Sequence, residues 1–370
     1  MRSVGSDPPG HVVNLFIALA VALILALTLL PLSSSKRWWV RAMDFPRLQL
    51  FVLAAVALVA ATVGAQGDGV LAWGAAAVAG FCVIYHAWWI VPYTRIFPVE
   101  VKLAAPAEIH VDSNGQHGSS RKQGSNGDVA ADGNLLRVLV SNVLMDNSDA
   151  EALLDLVKKH NPHVLVTLET NQWWQQQLDV LEAEYPHTIK CPLENRYGMH
   201  VYSRLTLEDA ATKFLVQHDV PSMHAQIMLN NGQRVQAHFV HPAPPAPGEN
   251  EESTERDMEL LLVAKQVAGC QMPRVVTGDL NDVAWSRTTR NFRKRSGLLD
   301  PRVGRGMFNT FHTGHWFMRW PLDHLFHSDH FTVRSISRLP SIGSDHFPLL
   351  TELVLTPQHR DEQHALAEDD

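Results

Sequence analysis

Two short acidic signatures near the C-terminal end hold the residue types that do phosphate chemistry. They are Gly278-Asp279-Leu280-Asn281-Asp282 and Gly343-Ser344-Asp345-His346-Phe347-Pro348-Leu349. Each abuts an apolar, β-branched run, which predicts a strand end where a loop exposes side chains. Two carboxylates, an amide and a histidine brought to one place suit a hard-cation site that hydrolyses phosphate esters. Such ions take oxygen ligands and keep positions open for water and substrate.

The same pattern recurs upstream. Asn142 follows Val138-Leu139-Val140-Ser141, Glu169 follows Val164-Leu165-Val166-Thr167-Leu168, His241 follows Phe239-Val240, and Asp323-His324 opens Leu325-Phe326. Any one of these alone reads as a turn or cap; their joint appearance at element ends points to a constellation. The elements that must position them follow from periodicity. Strands are predicted over 135–140, 164–168, 199–203, 223–229, 235–240, 274–277, 322–326, 331–337 and 347–354. Helices are predicted over 149–160, 171–184 and 255–268, with another beginning near Trp285. Strands interleaved with helices give a layered α/β domain.

Several neighbouring residues have plainer roles. Asp282 reads as the cap of the helix near Trp285. His324, adjacent to Asp323 on a strand, faces the other way. His238 and His241 lack the acid a metal pair would need, and Glu194 and Asn195 are loop residues placed to line a pocket. Arg287, Arg290 and Lys294 share a helix face, with Arg293 and Arg295 nearby, and read as a solvated surface. The loop His315-Trp316-Phe317-Met318-Arg319-Trp320 is unusually apolar and could stack a base, grip a lipid or only pack. Pro242-Ala243-Pro244-Pro245-Ala246-Pro247 is stiff and short of donors, and reads as a wall.

The chain has 370 residues, 46% of them hydrophobic, and a formal net charge of -7, which argues against a generally basic nucleic-acid coat. Cys82, Cys191 and Cys270 are too few and too far apart for a disulfide framework or a zinc spacing. Three apolar stretches, 12–32, 48–65 and 70–91, are long enough to cross a bilayer. The loop between the first two carries Lys36, Arg37, Arg41 and Arg47, so the positive-inside rule puts that loop and everything after the third span in the cytoplasm. Residues 1–103 thus read as a multi-pass membrane region, in the plasma membrane if the chain is bacterial. Residues 104–134 read as a flexible polar linker, 135–356 as a soluble domain and 357–370 as a polar tail.

In order, Ser141-Asn142-Val143, Leu168-Glu169-Thr170, Arg196-Tyr197-Gly198-Met199, His241-Pro242, Gly278-Asp279-Leu280-Asn281-Asp282, Leu322-Asp323-His324-Leu325-Phe326 and Gly343-Ser344-Asp345-His346 resemble the motifs of the endonuclease/exonuclease/phosphatase superfamily, as a membrane-anchored member. The resemblance covers about 135–355. It implies a DNase I-like four-layer α/β sandwich, two packed sheets flanked by helices. It also implies Glu169 as principal metal ligand supported by Asn142 and Asp345, and Mg²⁺ or Mn²⁺ as the ion. His346 would be general base or phosphate partner oriented by Asp323, Asp279 would handle the attacking water, and Asn281 and His241 would bind the scissile phosphate.

The expected activity is therefore metal-dependent phosphoester hydrolysis, with a nuclease-like phosphodiesterase foremost. A phospholipid or inositol-phosphate phosphoesterase is the alternative within the superfamily, and a catalytically silent membrane-tethered binding module is the alternative outside it. No protein partner is implied.

Overall fold

The computed structural model describes residues 9–64, 70–105 and 133–356. The chain divides into two units, Met1–Phe97 with Pro245–Ser253, and Pro98–Pro244 with Thr254–Asp370.

In the first unit, helices α1 (Pro9–Leu29), α3 (Arg47–Gly64) and α4 (Val70–Ile90) are joined by a segment containing the single-turn α2 (Trp38–Arg41). Three helices among the described residues are long and apolar enough to cross a membrane. Their contact faces are small: Ala54, Ala61, Ala75, Ala76 and Ala79 are buried together with Val21, Ile24 and Cys82. Small residues let helix backbones approach closely, while Phe16, Val56, Ile84 and Trp88 point outward. Arg41 folds back onto the carbonyls of Pro31 and Ser33, in the turn that follows α1. Residues 36–38 pair with the 245–253 segment: Trp38 N–H donates to Glu251 O at 2.9 Å, and Ser253 N–H to Lys36 O at 2.8 Å.

The second unit is an α/β/β/α sandwich. One sheet has β1 (Leu135–Asn142), β2 (Val164–Leu168), β3 (His187–Cys191), β4 (Met199–Ser203), β10 (Phe331–Arg338) and β11 (Leu349–Leu355), in the order β10-β11-β1-β2-β4-β3. The other runs β5-β6-β7-β8-β9, from β5 (Leu207–Lys213), β6 (Ser222–Met228), β7 (Arg234–Val240), β8 (Arg274–Asp279) and β9 (Asp323–His327). β1 pairs parallel with β2, and β7 with β8; the other pairings are antiparallel. The predicted strands all form. β3 and β5 were not legible because each is an edge strand that carries polar residues where a buried strand would alternate, unlike the buried edge strand β9 and the buried start of β10.

Alternation sorts the side chains into layers. Leu136, Val138 and Val140 of β1, Val164, Val166 and Leu168 of β2, Val235, Ala237 and Phe239 of β7, Val275 of β8 and Leu325 of β9 share the core between the sheets. The intervening residues face the helices. Leu139 and Leu165 meet α5 (Ala150–His160) and α6 (Gln172–Leu178), and Val240, Val276 and Phe326 meet α7 (Thr254–Val267) and α8 (Arg287–Ser296). Asp149 caps α5 by accepting from Ala152 N–H, and Asn171 caps α6 by accepting from Trp174 N–H.

The chain joins this unit earlier than composition suggests. Val101 is fully buried in the inter-sheet core, Leu103 bridges Val333, and Ala104 N–H donates to Val333 O at 2.9 Å. Glu100 pairs with Arg293 and accepts from Asp300 N–H. The division therefore falls after Phe97 and not after residue 103. Residues 106–132, the body of the predicted linker, lie outside the described residues, as do 357–370. Both flanks of 106–132, however, belong to the same unit: Asn134 is tied to Leu355 on β11.

Candidate active site

The two-residue period that builds the core also delivers the chemistry. On β1 the inward series 136, 138, 140 continues to Asn142; on β8, 275 and 277 continue to Asp279; on β9, Leu325 shares its side with Asp323. These strand ends meet where the two sheets open.

Two glycines permit that meeting. A Cβ on Gly278 would lie 1.9 Å from the Val240 carbonyl oxygen, and its φ of +143° is a conformation side chains rarely adopt. A Cβ on Gly198 would lie 1.8 Å from the Thr170 oxygen, directly behind Glu169. Glu169 itself sits at φ 59°, which turns its carboxylate off the line of β2.

The polar atoms form one connected set. Asn142 Nδ2 donates to Glu169 Oε1 at 2.8 Å and to Asp279 Oδ2 at 3.2 Å, joining a carboxylate from each sheet. Its Oδ1 accepts from Leu144 N–H, so in this orientation Asn142 meets the acids as a donor. His346 Nδ1–H donates to Asp323 Oδ2 at 2.8 Å, and His346 Nε2 lies 3.5 Å from Asp279 Oδ2. Asp345, next in the chain, is coupled electrostatically to both Glu169 and His346. Asn281 Nδ2 donates to Pro242 O at 3.0 Å, tying the first signature to the residue after His241. His241 is buried with its Nδ1 unpartnered, beside the Tyr197 ring.

Burial and charge then set protonation. Burial pushes the Glu169 carboxyl above the usual carboxylate range, against the opposing pull of His241 and Asn142. For His346, burial would lower the imidazole, but Asp323 and Asp279 outweigh it and raise it to about 10. The ring is therefore an imidazolium flanked by carboxylates, a donor suited to an anion.

Asp279, Asp323 and His346 present ligand-type atoms within 4.8 Å of one another. The His346–Asp323 hydrogen bond already occupies that trio, so it is better described as a proton-holding line than as a cation cage. The stronger sign of a cation is Glu169 Oε2, which is buried with no partner in a neighbourhood that also holds Asp279, Asp323 and Asp345. Oxygen donors in excess of positive charge fit a hard divalent ion. Glu169 and Asp345 are the residues free to hold it; Asn142 would have to turn its amide over, leaving Leu144 N–H without its acceptor.

Other assignments change. Asp282 does not cap α8: Ser286 does, accepting from Thr289 N–H at 3.0 Å. Asp282 instead accepts from Val283 N–H and Ser286 Oγ and lies 3.4 Å from Arg256 Nη2. Glu194 and Asn195 brace the chain, Glu194 by accepting from Asn171 and Asn195 by donating to Asp219 O. His324 is used on both nitrogens, by Arg302 and by the Asp282 carbonyl, as its outward position demands. Arg293 is not a free surface charge but the partner of Glu100.

Arg256 gave no sequence signal, and Ser344 was visible only as a member of the second signature. Arg256, buried on α7, donates to the Asn281 carbonyl at 2.9 Å and so holds the turn after Asp279, where Asn281 has φ 51°. Ser344 Oγ donates to Asn142 O at 2.8 Å, locking the second signature to the end of β1.

Known proteins agree with this architecture. Among solved structures, an endonuclease/exonuclease/phosphatase from Beutenbergia cavernae DSM 12333 superposes with a TM-score of 0.50 at 17% identity, covering 60% of this chain and 72% of that one. The human Nocturnin catalytic domain with bound sulfate gives 0.48 at 17%, covering 60% and 95%. TDP2 from D. rerio complexed with a single-strand DNA product gives 0.49 at 15%, covering 59% and 98%. At 17% identity the first of these shares the fold alone. No match is found among curated proteins. Residues 139–346, more than half of the chain and the span from the end of β1 to His346, match a single family. The chain belongs to the endonuclease/exonuclease/phosphatase family, whose members are enzymes that hydrolyse phosphoesters.

Proposed function

We propose that the protein is a membrane-anchored, Mg²⁺- or Mn²⁺-dependent phosphodiesterase. The three apolar helices hold it in a bilayer, and the basic 36–47 loop puts the catalytic unit on the cytoplasmic side. The observation that carries the catalytic reading is the joined set Glu169–Asn142–Asp279 beside Asp279–His346–Asp323, with one buried Glu169 oxygen unpartnered.

Water attacks phosphorus in line with the leaving oxygen. Asp279 accepts the proton of that water, its carboxylate held in orientation by Asn142 Nδ2 on Oδ2 and Asn281 N–H on Oδ1. The His346 imidazolium donates from Nε2 to a phosphoryl oxygen, and Asp323 holds the ring and its charge throughout. His241 and Asn281 contact the same phosphate from the β7–β8 side. Glu169 and Asp345 would hold the divalent ion, which when bound would supply positive charge to offset that on the phosphate oxygens.

Full-length protein in detergent should hydrolyse bis(p-nitrophenyl) phosphate. Chelator should abolish that turnover, and added Mg²⁺ or Mn²⁺ should restore it. Full activity in Glu169→Ala or His346→Ala would remove the assignment, and binding without turnover in the wild type would favour a silent module.

A further inference from the structure

Beside His346 the chain makes a narrow loop that the mechanism does not use. Phe311 and Trp320 bridge at its base, with ring centroids 6.2 Å apart, and Met318 N–H donates to His315 O at 3.0 Å to close the tip. The loop is laced to the second signature: Thr313 N–H donates to Asp345 O at 2.9 Å, Thr313 Oγ to Ser344 O at 2.8 Å, and Phe311 lies 5.0 Å from the His346 ring. Its tip is bare. Trp316 is 80% exposed, Phe317 55% and Met318 41%. An enzyme gains nothing in water from three large apolar side chains at the tip of one loop, so their exposure calls for an apolar partner.

The rim of the loop is basic. Arg319 donates to the carbonyls of His312 and Thr313 and stacks 5.0 Å from the Phe347 ring. Arg338 donates to Asn309 O and stacks 4.4 Å from the same ring. Both guanidinium groups are held by neutral partners. An apolar tip above a ring of cations matches the boundary of an anionic bilayer, with the tip among acyl chains and the arginines at phosphate level.

We infer that the Trp316–Met318 tip is a wedge that dips into an anionic bilayer and sets the active site against it, so that the substrate is a phosphodiester carried by a lipid. This deepens the phosphodiesterase reading and rests on it for the substrate, but not for the membrane contact.

The test uses full-length protein in nanodiscs, with Phe317→Cys carrying an NBD fluorophore and Cys191→Ser and Cys270→Ser removing the other accessible thiols. Quenching by nitroxide-labelled lipid is expected, stronger when phosphatidylglycerol is added to phosphatidylcholine. No quenching, together with a blue shift on adding a single-stranded oligonucleotide, would overturn the proposal in favour of base stacking. No response to either would reduce the loop to packing and also overturn it. In the second arm, Trp316→Ala with Phe317→Ala should lower turnover of phosphatidylglycerol relative to bis(p-nitrophenyl) phosphate about tenfold. An unchanged ratio refutes the substrate assignment. Quenching in a wild type that turns over neither compound would overturn the phosphodiesterase reading and leave the membrane contact standing.

Discussion

Glu259 offers a test of the packing around the site that needs no substrate. It lies on the buried face of α7, one turn from Arg256, is 2% exposed, and its Oε1 has no partner. Burial pushes its carboxyl up to about 8 from an ordinary 4.5. The folded protein therefore keeps a proton between pH 4.5 and 8 that the unfolded chain has lost. Because the folded state binds more protons, stability falls as pH rises, by about 1.4 kcal/mol per unit across that window, and is flat on either side. The full loss by pH 8 is on the order of 5 kcal/mol, a large share of what a domain has. Glu259→Gln keeps the shape and cannot ionise. Its absolute stability is a poor readout, because the new NH₂ also needs a partner; the informative quantity is the pH slope. Thermal melts of wild type and variant should run together near pH 5 and diverge toward pH 8.5, with the variant ahead by several degrees or more. Parallel curves over that range would show that Glu259 is not held neutral by burial.

Two further outcomes follow from the site. Asp323→Asn removes the carboxylate on His346 Nδ1, a charged hydrogen bond of 2.8 Å. It should lower kcat ~10- to 100-fold. His346 should also lose its proton well below its present value of about 10, so the alkaline limb of the pH–rate profile moves to lower pH. Gly278→Ala should destabilise by more than ~3 kcal/mol, since its Cβ would strike the Val240 carbonyl. Gly297→Ala, with open space around it, should lose only ~1 kcal/mol in the same melting assay.

What the sequence displayed depended on burial on both sides. Val164–Leu168, Met199–Ser203 and the end of β8 are sandwiched between sheet and helices, and the run of apolar residues announces them. β3 and β5 border solvent, where Lys190, Glu208 and Asp209 are permitted, and the pattern dissolves. Asn142, His241 and Asp279 of the candidate site were legible because they continue the inward period at a strand's end. The residues behind them were not. Arg256 looks like any charged position in Thr254–Val267, and only the tertiary approach of α7 to Asn281 distinguishes it. Asp282 and Ser286 are both good caps four residues apart. The choice between them is made by Arg256 and Ser286 Oγ, which take up the Asp282 carboxylate.

The buried Val101 and the Glu100–Arg293 pair also decide where the enzyme can be cut. A soluble version begun at Leu135 would discard a core side chain, the pairing to Val333 and a carboxylate that Arg293 and the Asp300 N–H depend on. One begun at Pro98 keeps all of them. For the same reason, a protease nick within 106–132 would divide the polypeptide yet leave residues 98–104 inserted in the catalytic unit. The catalytic unit would persist as a two-chain assembly, with residues 98–104 held by Val333, Arg293 and the inter-sheet core.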